Sequence, residues 1–182
     1  MFREVSRQNI MAVLFRHPEK EFSLSDLAKE ACVAKANIGV ILSEFSDTGL
    51  ITIEKLSKIW RIRANLSSQF YRSSKIVYNL NFACNSGIVE YLVDRFNNPK
   101  ALILFGSFRK GEDLSGSDID IAIESYEAKG YETLALNEIS GFEKIIGRKI
   151  QIHLFTRKDV DVGVFNNIAN GIVLWGFMEV RK

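Results

Sequence analysis

Two aspartates one residue apart, Asp118 and Asp120, are the side chains of this sequence best suited to chemistry. They lie in Ser117-Asp-Ile-Asp-Ile-Ala-Ile123, where acidic and apolar residues alternate. Alternation at period two predicts a strand with both carboxylates on one face and Ile119, Ile121 and Ile123 on the other. Carboxylates held side by side repel unless a cation sits between them. One or two carboxylates, with substrate phosphates completing the shell, are the usual environment of Mg²⁺. Upstream, the apolar run Ala101 to Phe105 has the length of a buried strand and ends at Gly106-Ser107. That turn offers a phosphate backbone N–H groups and a hydroxyl. The pattern points to a site for a divalent metal beside a polyphosphate.

Gly106-Ser107, ten residues, then Asp118-x-Asp120 resembles the signature of the DNA polymerase β-like nucleotidyltransferases in their minimal branch. The apolar run before Gly106, Gly111 after a basic residue, and Ser117-Asp-Ile-Asp120 belong to the same match. The resemblance implies that Asp118 and Asp120 hold Mg²⁺ and an NTP. It implies that Gly106 and Ser107 touch the triphosphate, that Arg109 and Lys110 assist, and that Ser117 braces the loop. It also places a third carboxylate on the strand after the next helix. That strand reads Lys149-Ile-Gln-Ile-His-Leu-Phe155 and contains no acid. Gln151 stands in the third-acid slot, and His153 lies two residues on, on the same face. A glutamine carries no charge and takes no proton. His153 is therefore the candidate catalytic base, although imidazole is a poor Mg²⁺ ligand. Glu124 shares the parity of the aspartates but lies about 13 Å beyond Asp120 along a strand.

These residues need a scaffold. The order expected after residue 99 is strand, the Asp118/Asp120 strand, and a polar crossover over 124–130. A helix over Tyr131–Ile146, the strand 149–155, a helix from Arg157 to about Ala169 and a short strand Ile172–Trp175 follow. This is a compact α/β domain on a mixed sheet. Residues 67–98 read as a helical connector. Ser67-Ser68 caps a first helix with Phe70, Val77, Leu80 and Cys84 as its apolar stripe, and a second helix runs from Ile88 to Phe96. That stripe suits either a homodimer seam or packing on its own domain.

Residues 1–66 read as three helices and a β-hairpin. Pro18 stops the first helix. Ser23 or Ser25 caps the second. Ile38, Ile41, Leu42 and Phe45 face inward from a third helix over 35–46, and Gly49 follows its end. Strands over 51–56 and 59–63, joined by Ser57-Lys58, complete the hairpin. Phe22-Ser-Leu-Ser-Asp-Leu-Ala28 and Phe45-Ser-Asp-Thr-Gly-Leu-Ile51 resemble the winged helix-turn-helix domain. The resemblance implies double-stranded DNA as partner. Lys35, Asn37 and Ser43 would face the major groove, and Lys55, Lys58, Arg61 and Arg63 the phosphates beside the wing.

Charge fits this division. Residues 1–85 carry 12 Lys and Arg against 8 Asp and Glu, net +4, and the remainder 12 against 14, net −2. No apolar run is long enough for a membrane span, and the amino terminus lacks a secretory pattern, so a cytoplasmic protein is expected. Cys32 and Cys84 are expected as reduced core residues. The fold class is thus α/β (α+β): a winged helix, a helical connector and a nucleotidyltransferase-like mixed sheet. The function expected is Mg²⁺-dependent transfer of a nucleotidyl group from an NTP to an unidentified hydroxyl. By the resemblance, that hydroxyl can lie on a HEPN-type partner protein. The alternative is a non-enzymatic winged-helix regulator whose second domain senses nucleotide or dimerises.

Overall fold

The structure, a computed structural model, describes residues 2–56 and 59–180. The chain divides into two compact units, Met1–Tyr78 and Asn79–Lys182, and the division falls within the helix α4 (Gln69–Asn85).

The first unit holds α1 (Phe2–Arg16), α2 (Leu24–Glu30), α3 (Lys35–Asp47), and the antiparallel strands β1 (Ile51–Leu56) and β2 (Ile59–Ala64). Ser23 is the N-cap of α2, its Oγ accepting from the Asp26 N–H at 3.1 Å. This satisfies one of the amide groups a helix start leaves unpaired. Gly49, at φ +73°, follows the C-cap of α3 in the left-handed region that ends many helices. Ile38, Ile41, Leu42 and Phe45 of α3 are buried with Ile10, Leu14, Phe22 and Ile62, so the apolar period anticipated for α3 builds the core of the unit. A bridge from Phe22 to Ile62 ties the segment before α2 to the hairpin. The hairpin connection Ser57-Lys58 lies outside the described residues.

The second unit is a five-stranded mixed sheet of β3 (Ala101–Phe105), β4 (Ile119–Glu124), β5 (Glu132–Leu134), β6 (Ile150–Phe155) and β7 (Ile172–Gly176), in the order β5-β6-β4-β3-β7. Among the described residues, only the β4–β6 pair of this sheet runs parallel. The helices are α5 (Ile88–Arg95), α6 (Gly106–Lys110), α7 (Ser140–Ile146) and α8 (Val162–Ala169). Every residue of β3 is buried, as expected of a central strand with both faces covered. On one face Ala101, Ile103, Phe105, Ala122 and Phe155 pack with Ile168 of α8.

Four expectations need correction. Residues 131–146 do not form one helix: they divide into β5, a 3-10 turn (Asn137–Ile139) and the short α7. Leu134 and Leu136 are two apart and Thr133 is β-branched, which suits an edge strand, and β5 pairs antiparallel with β6. Residues 157–161 are not helical. Asp161 caps α8, its carboxylate accepting from the N–H groups of Gly163 and Val164, so the helix begins at Val162. Cys32 and Cys84 are free but exposed, Cys32 sitting at φ +54° in the turn between α2 and α3. On α4 the buried face is Tyr71, Lys75, Asn79 and Ala83, at intervals of four residues, while Phe70 and Val77 of the expected stripe are exposed.

Candidate active site

Pairing in the sheet decides which side chains meet. Residues paired across neighbouring strands share a face. Phe105 of β3 pairs with Asp120 of β4, which pairs with Gln151 of β6, and in the next row Ile103, Ala122 and His153 align. The acids and both β6 polar side chains therefore converge at the end of the sheet where β3 leaves and β4 and β6 enter.

Each aspartate has its own donor from β6. Gln151 Nε2 donates to Asp118 Oδ2 at 2.5 Å. His153 Nε2 lies 3.1 Å from Asp120 Oδ1, and His153 Nδ1 lies 2.7 Å from the Tyr131 hydroxyl. An ionised carboxylate only accepts, so Nε2 carries the proton, and in the neutral ring Nδ1 accepts from the tyrosine O–H. The His153 ring is buried, with Phe105 edge-on at 4.9 Å and Tyr131 stacked at 5.9 Å. Both ring nitrogens are engaged. The slot without a third acid thus supplies two donors, which ease the repulsion of the aspartates.

The β3 side is shaped by Gly106. Its φ is +72°, a region costly for any residue with a Cβ. A Cβ placed there would lie 2.1 Å from Asp120 Oδ2. The backbone is therefore pressed against the Asp120 oxygen that His153 does not hold. Ser107 and Arg109 follow on α6 and are half-buried, and Lys110 is exposed. Arg109 Nε is buried and has no hydrogen-bond partner among the described residues. An orphaned donor of this kind calls for an acceptor the protein itself does not provide.

The loop between the glycine turn and β4 is braced. Ser117 Oγ accepts from the Leu114 N–H at 2.9 Å. Buried Asp113 accepts from Asn79 Nδ2 at 2.9 Å, and Arg148 approaches it at 3.8 Å. Asn79 also donates to the Phe108 carbonyl at 2.7 Å. Beyond Asp118 lies a cleft of about 400 Å³ between residues 115–118 and the α7–β6 segment. On its wall, Glu143 accepts from Lys149 Nζ at 2.8 Å and from the Ile150 N–H at 3.0 Å. The Lys149 ammonium holds the Glu143 carboxyl below the usual range, partial burial pulls the other way, and the Ile150 N–H helps to lower it. At the far end of β4, Glu124 is buried and paired with Arg157 at 2.7 Å and Lys100 at 3.3 Å, which gives it a partner away from the aspartates.

The pattern of the nucleotidyltransferase domain matches residues 85–173. The chain is also 38% identical over 73 residues to the putative protein adenylyltransferase MJ1379 of Methanocaldococcus jannaschii, an overlap of 39% of this chain and 69% of that protein. The chain belongs to the nucleotidyltransferase family. The mixed sheet of the second unit is consistent with a nucleotidyltransferase-like fold. No solved structure matches significantly.

Three side chains around the site carried no signal in the sequence. Tyr131 opened an expected helix, so nothing aimed it at His153. Asn79 and Asp113 are polar residues far apart in the chain, and only the fold buries them together. In the first unit, the described residues expected to face DNA are on the surface. Lys35, Asn37 and Ser43 are exposed on α3. Arg61 pairs with Glu21 at 3.2 Å, and Arg63 Nε donates to Glu21 at 2.8 Å. Glu21 is lowered and Arg63 raised from their ordinary ranges, chiefly by that hydrogen bond. Lys55 lies 4.5 Å over the Trp60 ring. Lys58 lies outside the described residues. No described helix is long and apolar enough to cross a membrane.

Proposed function

We propose that the second unit transfers a nucleotidyl group from an NTP to a hydroxyl on a protein, using Asp118 and Asp120 to hold a Mg²⁺–nucleotide. The observation that carries this reading is that Asp118 and Asp120 are held side by side by Gln151 and His153 of β6, with the Gly106 backbone pressed against Asp120. Among the described residues no three His, Cys, Asp or Glu side chains cluster as a ready metal cage. Two carboxylates fit an ion whose shell is completed by phosphate oxygens, and the orphaned Arg109 Nε fits a phosphate beside it. Bound there, Mg²⁺ would neutralise charge on the phosphates and polarise the α-phosphorus.

The chain's own residues position and orient. Gly106 admits the nucleotide's phosphates close to Asp120, and Ser107 with Arg109 offers them donors. His153 fixes the rotamer of Asp120, and Gln151 that of Asp118. With both imidazole nitrogens engaged, His153 acts here as a positioning residue, replacing the general-base role that spacing suggested. The acceptor oxygen bonds to the α-phosphorus while the bond from that phosphorus to the bridging oxygen breaks. Pyrophosphate leaves with the electron pair, and the hydroxyl proton passes to water. That the acceptor is a protein follows the name of the Methanocaldococcus relative.

Calorimetric titration of ATP with and without Mg²⁺, on the wild type and on Asp118→Ala/Asp120→Ala, tests the site. Metal-dependent binding lost in the double variant is expected, followed by transfer of label from α-labelled ATP to protein. Absence of binding to the wild type refutes the reading. We further propose that the first unit is a winged helix that binds duplex DNA. The exposed Lys35, Asn37 and Ser43 on α3 support it. Salt-sensitive duplex binding, weakened by Lys35→Glu, is the expected result.

A further inference from the structure

The cleft beside Asp118 suits the other reactant. Strand order places β4, which carries Asp120 and begins directly after Asp118, between β3 and β6. The Gly106-Ser107 turn leaves β3 on one flank, while the cleft lies on the β6 flank. In-line displacement at phosphorus puts the attacking oxygen opposite the leaving pyrophosphate. If the phosphates rest on the glycine turn, the acceptor must enter from the β6 side. The cleft opens there, and Asp118 forms part of its wall.

The lining states what kind of acceptor fits. No aromatic residue and no Leu, Ile or Val lines the cleft among the described residues. A nucleobase would find nothing to stack on. Ser115, Ser117 and Ser140 offer hydroxyls, and Lys144, Arg148 and Lys149 bring positive charge. Arg148 is spoken for by Asp113 and Lys149 by Glu143, so Lys144, exposed on α7, is the cation presented to an incoming group. Two carboxylates, Asp118 and Glu143, stand in the same wall. A nucleic-acid backbone, with a charge at every nucleotide, would meet those acids repeatedly. A peptide with one or two acidic residues beside its hydroxyl reaches Lys144 without that conflict.

We infer that the cleft bounded by residues 115–118 and by α7 with the start of β6 is the acceptor site, and that it takes a hydroxyl-bearing peptide segment with acidic neighbours. This inference rests on the nucleotidyltransferase reading proposed above.

The test uses fluorescein-labelled peptides of equal length, each with one tyrosine, one serine and one threonine, flanked by Glu, Gln or Lys. A single-stranded oligonucleotide of similar length serves as a fourth probe. Anisotropy titrations with the full chain should rank the Glu peptide first. Lys144→Glu should weaken the Glu peptide about fivefold and strengthen the Lys peptide, a charge swap that a folding defect does not produce. Binding indifferent to peptide charge or to Lys144→Glu, or tightest binding of the oligonucleotide, overturns the inference. MgATP binding to the wild type is measured separately. Its absence would sink the nucleotidyltransferase reading, whereas the peptide ranking judges the cleft alone.

Discussion

Replacing Gly106 by alanine should damage both the fold and the site, and the two costs can be separated. The first is the left-handed backbone at φ +72°, about 1–2 kcal/mol for a residue with a Cβ. The second is steric, because the new methyl would fall 2.1 Å from Asp120 Oδ2. Asp120 must then swing away and lose its His153 partner, and a hydrogen bond to a charged group is worth about 1.5–3 kcal/mol. Gly87→Ala is the control. Gly87 has φ +83° in the same unit, yet an added Cβ there meets nothing within 4 Å. Gly87→Ala should show the backbone cost alone, and Gly106→Ala about 2 kcal/mol more by urea denaturation. If that difference also falls on the nucleotide-holding arrangement, MgATP affinity drops about thirtyfold in Gly106→Ala. Equal losses of stability, with MgATP affinity the same in both variants, would refute the claim that Gly106 is shaped around Asp120.

Four further outcomes are expected. Gln151→Glu turns the donor 2.5 Å from Asp118 into a third carboxylate; the metal-free protein should lose about 1–3 kcal/mol, and Mg²⁺ or Mn²⁺ should raise its melting temperature more than that of the wild type. Tyr131→Phe removes the donor to His153 Nδ1; nitrogen NMR of the imidazole should show the Nε2–H form in both proteins, because Asp120 still accepts from it, with the Nδ1 resonance moved downfield in the variant and a modest fall in MgATP affinity. Because the Glu143 carboxyl is held low in the folded protein, its contribution is present above the ordinary carboxylate range and is lost as pH falls through the depressed value; the stability gap between wild type and Lys149→Gln, below about 1 kcal/mol for so exposed a lysine, should shrink between pH 7 and pH 3 in urea midpoints. Glu21→Gln removes the carboxylate beside Arg63 and leaves Arg61 its 3.8 Å pairing with Glu54, so duplex binding by anisotropy should tighten; unchanged binding would show that these arginines do not meet phosphate.

Local patterns carried much of this structure. The period-two alternation around Asp118 and Asp120 describes β4, and the apolar run before Gly106 describes β3. The period of Ile38, Ile41, Leu42 and Phe45 describes α3. These elements have an unambiguous apolar period and a nearby cap or glycine. Residues 131–146 lack that agreement. Their apolar residues fit a helix over part of the stretch and a strand over another part, and pairing with β6 decides between them. The α4 surface failed for a related reason: Asn79 is buried because Phe108 and Asp113, distant in the chain, receive it, and no local rule predicts a buried lysine such as Lys75. In the site, strand parity alone puts Gln151 and His153 on the face of the aspartates. That the two act as donors, one to each acid, becomes visible only in the pairing register of β4 and β6.

The pairing of Gln151 with Asp118 and of His153 with Asp120 has a consequence for assembly of the protein. Where a metal is needed to reconcile buried acids, folding and metallation are one event and chelators denature the product. Here the acids are reconciled by their own strand neighbour. The second unit should therefore mature without metal and survive EDTA with its melting temperature intact. An ion then acts as a ligand of a finished protein, adding stability only in proportion to its free concentration over its dissociation constant.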